Sequence, residues 1–433
     1  MKKGRWNMLC KNPTEKKITI IDSIMGSGKT SWAIQHMNRS PNNKKFIYIT
    51  PFLNEVERVL SSSVRKFAQP ENKKGGTKLE SLKELIYKRE DIVSTHALFQ
   101  RMDNELIELI EMQGYTLILD EVMNVIDQVN ISKNDLQLLL TARTKTGDPA
   151  ISIDNKGFVQ WNDKEYKDGN FEHIRNLANS NNLMVYDGIA MYWMFPVSAF
   201  KGFEEVYVLT YMFNGQIQRY YYDLFNLDYN FQAVSFINDS YELVPYIPLQ
   251  QENRVHLKNL IQIYYSQPTD RFDINKIGEK TSAFSKSQLT KLTGNKMQQK
   301  LLKDHGFNFY YNKMKVPSNE VMWTTFLAFE KNICPKNLKK QFVEVTARAT
   351  NDYADKSTCI YFANRYMNPI TKQFFNSKGV KVDEDLFALS ELLQWVFRSR
   401  VRKGKPINIY IPSNRMRTLL EKYLNNQSVL NES

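Results

Sequence analysis

Ile18-Thr19-Ile20-Ile21-Asp22-Ser23-Ile24-Met25-Gly26-Ser27-Gly28-Lys29-Thr30-Ser31 decides the reading of this chain. Its first four residues are β-branched, the composition of a short buried strand. Two glycines then punctuate a turn. Beyond the turn, Trp32, Ala33, Ile34 and Met37 recur at helical spacing. A strand, a glycine turn and a helix in that order form a cradle for a phosphate group. Glycine lets backbone N–H groups approach oxygen closely, and the helix adds its positive N-terminal end. Lys29 supplies a mobile cation and Thr30 a hydroxyl for Mg2+. Ser23, Met25, Gly26, Ser27, Gly28, Lys29, Thr30 and Ser31 are therefore expected to line the cradle. The general pattern begins on glycine, where this chain has Ser23. The bland alternative is a glycine turn that only caps a helix, and it leaves the Lys-Thr pair without a reason.

The same alternation continues outward. PNNKK reads as a turn, FIYIT as a buried strand ending at Thr50, and NEVERVLSSSV as a helix. Residues 92–94 end a short strand before Thr95 and His96. Helical ALFQRMDNELIELIEMQ follows, then the strand TLILD, which ends at Asp120. Strands alternating with helices predict an α/β layer with a mostly parallel sheet. Asp120 and Glu121 fall at a strand's C-terminal end, where open α/β sheets bind ligands. Asp120 is expected to hold Mg2+, and Glu121 to orient and deprotonate an attacking water. The alternative is a solvated strand end.

A third segment lies near the C-terminus. In a continuous helix, Gln394, Arg398 and Arg402 fall at i, i+4 and i+8 on one face. A planar guanidinium suits bidentate contact with a γ-phosphate and supplies charge to a phosphoryl-transfer transition state. The competing reading is a basic helix face touching nucleic-acid phosphates. Arg400 points away from that face and reads as structural or as a polymer contact.

Composition agrees with a soluble, globular chain. Its 433 residues carry 59 Lys+Arg against 46 Asp+Glu, a formal net charge of +13. A field of that sign favours a polyanionic partner. The apolar window 183–200 is interrupted by Asp187, Gly188 and Pro196, so no membrane span is expected. The basic N-terminus lacks the apolar stretch of a secretory signal. Cys10, Cys334 and Cys359 are scattered, which excludes a disulfide framework or zinc knuckle and points to a reducing compartment. Five histidines without ligand spacing give no metal site.

The expected organisation is a first unit over 1–215, with an insertion at about 145–200, and a second α/β unit over 216–433. AISIDNKGFVQW reads as a hairpin around Asn155, Lys156 and Gly157. Strand-like 206–211 resumes the first sheet. Tyr220, Tyr221, Tyr222 and Phe225 read as core more readily than as a base-stacking platform. IQIYY, TCIYF and INIYIP are the strands of the second unit. Residues 286–315 hold seven lysines and one acidic residue, Asp304. Lys286, Lys291, Lys296, Lys300 and Lys303 read equally as a solvated face or as a polyanion site.

Together these segments resemble the superfamily 2 helicases and translocases in the broad DEAD/DEAH-like sense. SIMGSGKT is similar to motif I and Asp120-Glu121-Val122-Met123 to motif II. Tyr48-Ile49-Thr50-Pro51 and Ser94-Thr95-His96 are similar to motifs around the nucleic-acid track. Leu209-Thr210-Tyr211 stands where a coupling motif belongs and matches it poorly. Gln394 to Arg402 is similar to motif VI, without the glycines usual there. The asparagine-rich, alanine-poor style is similar to phage-encoded replication helicases. The resemblance implies two RecA-like domains with ATP and Mg2+ in the cleft between them. It implies Lys29, Asp120, Glu121, Gln394, Arg398 and Arg402 as the catalytic set, with Thr30 and Asp120 at the metal. Thr50, Pro51, Thr95 and His96 then touch a single strand, DNA being favoured, with replication proteins as partners in the host cytoplasm. Weighed against an ATP-driven helicase are a DNA-packaging motor, a small-molecule kinase, and an ATP-switched origin- or strand-binding protein that does not unwind.

Overall fold

The computed structural model describes residues 18–72, 76–267, 274–346 and 352–427. Cys10 and residues 428–433 lie outside them. In chain order the strands are β1 Ile18–Asp22, β2 Lys45–Thr50, β3 Phe67–Ala68, β4 Asp91–Thr95, β5 Tyr115–Asp120, β6 Ile126–Gln128, β7 Ile151–Ile153, β8 Val159–Trp161, β9 Leu183–Tyr186, β10 Ala190–Met194, β11 Glu205–Thr210, β12 Tyr229–Ile237, β13 Ser240–Pro245, β14 Ile261–Tyr264, β15 Val321–Thr324, β16 Thr358–Tyr361 and β17 Ile407–Tyr410. Four helices matter most for the site: α1 Lys29–Arg39, α2 Ile217–Leu224, α3 Glu384–Val396 and α4 Asn414–Leu424.

The first sheet has the order β13-β12-β1-β11-β5-β2-β4-β3. Its neighbours pair in parallel except β12 with β13, an antiparallel edge hairpin. Strand periodicity divides its side chains between two layers. Ile21, Tyr48, Ile118 and Leu209 point to the face covered by Trp32, Ala33 and Met37 of α1. Ile20, Ile47, Ile49, Leu117, Leu119 and Val208 join the other core with the aromatic residues of α2. Tyr220, Tyr221 and Tyr222 are fully buried there, as core. The second sheet, β14-β17-β16-β15, is parallel throughout. Trp323, Ile360 and Tyr410 face one layer, and Met322, Cys359, Tyr361 and Ile409 the other. The chain thus has the expected fold class, two parallel-sheet α/β domains of RecA-like type.

Three expectations need correction. The helix expected from Ala97 to Gln113 is two, His96–Phe99 and Asn104–Gln113. Asp103 separates them because its carboxylate accepts from the Leu106 N–H and caps the second. The first sheet also runs past residue 215: β12 and β13 complete it beside β1. A division between 215 and 216 would part those strands from their sheet, and the second sheet begins only at Ile261. The insertion starts at Ile126 rather than near 145. It holds a three-stranded sheet, β6-β10-β9, and the expected β7–β8 hairpin around a small core of its own that includes Leu136, Leu139, Val159, Ile174 and Met191.

The insertion also touches the second domain. The Tyr192 and Phe374 rings lie 4.8 Å apart, and the Tyr192 and Thr371 hydroxyls 3.3 Å. Among the described residues, no helix is long and apolar enough to cross a membrane.

Candidate nucleotide site between the two domains

The loop after β1 turns with Gly26 at φ 84° and Gly28 at φ 94°, conformations that side chains with a Cβ rarely adopt. Gly28 forms the N-cap of α1, so the helix's free N–H groups point into the loop. Ser23, the departure from glycine, ties this loop to the sheet. Its N–H donates to the Thr210 carbonyl (3.0 Å), and its hydroxyl accepts from the Val234 N–H on β12 (2.9 Å). Lys29 is buried. Its Nζ donates to the carbonyls of Ser23 (2.6 Å) and Ile24 (3.2 Å). Burial lowers its pKa, and the charges of Glu121, Asp22 and Asp120 oppose that shift.

The sheet order sets the remaining geometry. β11 stands between β1 and β5, so Asp120 faces the loop across one strand. Thr30 Oγ1 donates to Asp120 Oδ2 (3.1 Å), joining residues ninety positions apart. The Tyr48 hydroxyl donates to the same oxygen (2.6 Å). Burial pushes the Asp120 carboxyl up to about 6 and the charge of Glu121 adds to this, while the bonds from Tyr48 and Thr30 work against it. Glu121 stands at φ 68°, a strained backbone for a non-glycine residue, fixed by its N–H bond to the Leu209 carbonyl (2.9 Å). A hydroxyl beside a buried carboxylate is a fitting donor pair for Mg2+.

The second domain closes the cleft. Gln394, Phe397, Arg398 and Arg402 line the same cavity of about 240 Å³ as Met25, Gly26, Gly28, Lys29, Thr30, Ser31, Asp120 and Glu121. The expected helical face is not how they meet. α3 ends at Val396, and Arg402 lies in a separate short 3-10 turn, Arg400–Lys403. Ser399 causes the break. Its buried hydroxyl donates to the Val396 carbonyl (2.6 Å), which offers the backbone an alternative to the helix. The three residues reach the cavity from a last helical turn, a bend and a 3-10 turn. Arg400, expected to be structural or a polymer contact, donates from its Nε to the Pro406 carbonyl (2.6 Å).

Thr50 and Pro51, expected on a nucleic-acid face, line this cleft instead, and Thr50 is fully buried. β2 pairs directly with β5, so its end opens beside Asp120. Thr95 and His96 lie elsewhere and are partly exposed; His96 Nε2 is 3.2 Å from the Asp120 carbonyl oxygen. Tyr48, read only as part of a nucleic-acid-track segment, reaches the Asp120 carboxylate, and sequence reasoning passed over Glu55, Arg58 and Tyr241, which also line the cavity. No local pattern marks them, because each arrives by tertiary packing. Of the lysines between 286 and 303, all but Lys303 are exposed, and Lys300 pairs with Asp304 (2.8 Å).

A buried linkage also joins the domains. The hydroxyls of Tyr211, after β11, and Tyr423, in α4, are 2.6 Å apart, and Tyr423 donates to Glu252 (3.1 Å).

The chain is a two-domain α/β protein with a cavity at the domain junction, lined on one side by the glycine loop after β1. Residues 126–193 match the YonV middle domain and residues 255–424 the YonV C-terminal Rossmann-like domain. The SPbeta prophage-derived uncharacterized protein YonV of Bacillus subtilis (strain 168) is 40% identical over 425 residues, spanning 95% of this chain and 100% of that protein. The chain belongs to the YonV family. Among solved structures, apo XPD is similar with a TM-score of 0.49 at 12% identity, covering 96% of each chain. Dbp5 of S. cerevisiae bound to RNA and ADP BeF3 gives 0.37 at 11%, covering 96% of this chain and 85% of that one.

Proposed function

We propose that this chain is an ATP-dependent nucleic-acid helicase or translocase, with DNA as the favoured polymer. One observation carries the reading: a phosphate loop, a strand-end Asp-Glu pair and two arginines from a second domain line one cavity. Lys29 and the loop N–H groups hold the triphosphate, and Thr30 and Asp120 hold Mg2+. Bound there, Mg2+ would neutralise phosphate charge and polarise the transferring group. Glu121 orients the attacking water. Gln394, Arg398 and Arg402 stabilise charge at the γ-phosphate when the cleft closes. The YonV C-terminal match and the second sheet support placing the domain division between 246 and 260 rather than at 215.

The polymer side rests on charge and on a second cavity. A groove of about 860 Å³ lies where the first domain, the insertion and the second domain meet. Asn124, Gln128, Lys286, Arg365 and Asn368 line it. Several of these follow strand ends, the usual ligand side of an open parallel sheet. In this reading Thr95 and His96 are strand contacts of the first domain, and the contact of His96 with the Asp120 main-chain carbonyl links that track to the strand end that carries the metal carboxylate. Thr50 and Pro51 belong to the nucleotide cleft. The prophage relative supports a phage origin and a host-cytoplasm setting.

The test is phosphate release with single-stranded DNA, duplex DNA, RNA or no polymer, at two salt levels. Polymer raises turnover, and the gain shrinks at high salt. Lys29→Ala abolishes turnover, while Glu121→Gln keeps ATP bound and slows hydrolysis by about 100-fold or more. Normal hydrolysis by both variants refutes the assignment. ATP hydrolysis without forked-duplex unwinding or movement along a strand leaves the ATP-switched binding protein instead.

A further inference from the structure

We propose that Tyr241 is the nucleoside platform of this cleft, so that the edge hairpin β12–β13 holds the base and ribose end of the nucleotide by stacking. This rests on the nucleotide reading above and adds to it the part of the site that recognises more than phosphate.

Most polar residues of the cavity have a part above in holding the triphosphate and metal, and Glu55 and Arg58 pair with each other (3.3 Å). Among the described residues that line it, only Tyr241 and Phe397 are aromatic, and Tyr241 is the one on the phosphate-loop side. Its ring lies flush against the loop. A Cβ added at Gly28 would come within 2.1 Å of Tyr241 Cε1, so the glycine is needed for the ring's position as well as for its own φ. The ring therefore begins where the phosphate cradle ends.

The hairpin is built to hold the ring still. Gln35 of α1 donates to the Tyr241 carbonyl (2.8 Å) and to the Ser240 hydroxyl (3.0 Å), and accepts from the Tyr241 N–H (3.2 Å). Arg39 donates to the Ser240 hydroxyl (3.0 Å) and lies 3.7 Å from Glu242. Behind the ring stands Phe236, its cross-strand partner in the β12–β13 register, with centroids 4.9 Å apart. Phe236 is 60% exposed, while Tyr241 is partly buried with one side packed against the core under α1, so the pair stands at the edge of the core. Both ends of the Gln35 amide are engaged by the hairpin, so that side chain cannot read base edges. Stacking accepts any base with a large π-face. The site should therefore favour purine over pyrimidine nucleotides and distinguish adenine from guanine only weakly.

Equilibrium competition binding of ATP, GTP, CTP and inorganic tripolyphosphate to the full chain tests this, using wild type, Tyr241→Ala and Tyr241→Phe. Tyr241→Ala is expected to lose about 5- to 150-fold in ATP and GTP affinity, the range of a lost base stack. Tripolyphosphate binds it as it binds wild type, and Tyr241→Phe keeps wild-type ATP affinity. Wild-type ATP affinity in Tyr241→Ala overturns the platform while leaving the nucleotide site intact. An equal loss for ATP and tripolyphosphate also overturns it, because the ring then only props the loop. Failure of wild type to bind any of the four ligands overturns the nucleotide reading itself and the platform with it.

Discussion

Asp22, at the foot of the phosphate loop, gives a pH prediction with a definite sign. Its carboxylate is buried and accepts from the N–H groups of Met212 and Phe213, at 2.8 Å each. Burial pushes its pKa from 3.8 to about 6, although those two N–H groups and the Lys29 charge favour the ionised form. Desolvation outweighs the hydrogen bonds because the group is almost wholly removed from water. With the folded value above the unfolded one, the native chain keeps a proton that the unfolded chain releases between about pH 4 and 6. The contribution to stability is full below the unfolded value and is lost as pH rises through about 6. A gap of about two pH units is worth about 3 kcal/mol. Asp22→Asn removes the titration and keeps the shape. Its single acceptor oxygen serves one of the two N–H groups, a cost of about 1–3 kcal/mol that does not vary with pH. The variant is therefore expected to be less stable than wild type near pH 4 and to gain on it by about 3 kcal/mol by pH 7. Urea unfolding of both proteins at pH 4, 5, 6 and 7 measures this, and every other carboxylate cancels in the difference. A stability difference that stays flat across those values refutes the argument.

Two further outcomes concern stability. Arg65 bonds Asp91 (2.9 Å) and the carbonyls of Met37, Ser40, Pro41 and Lys44, with both charged side chains buried, so Arg65→Ala should cost about 3–5 kcal/mol in urea unfolding; a loss below 1 kcal/mol would contradict this. Gly215 lets the first domain touch the backbone of α3, since an added Cβ would lie 2.4 Å from the Leu386 carbonyl oxygen. Gly215→Ala should cost about 1–3 kcal/mol and lower the midpoint of thermal unfolding, because backbone must move to admit the methyl group; an unchanged midpoint would count against that contact.

The loop from Ser23 to Thr30 and the Asp120-Glu121 pair are legible because each is local. The glycines, the lysine and the strand ends sit in a few consecutive residues whose conformations are set by neighbours in sequence. Gln394, Arg398 and Arg402 show the limit of that logic. Even spacing suggests one helix face, yet Ser399 ends the helix, and the three meet only because the second sheet presents that bend to the first. Likewise no local signal assigns Tyr229–Ile237 a place beside β1, with Ser240–Pro245 as its edge partner.

Near neighbours and composition suffice for the alternation of strands and helices, the glycine turn between β1 and α1 and the net positive charge. Tertiary structure alone decided which strands lie side by side. That order put β11 between β1 and β5, turned the Tyr48 hydroxyl onto Asp120, and laid Tyr241 against Gly28. Sheet pairing joins residues far apart along the chain, and its free energy comes from burying two faces at once, which no single segment encodes.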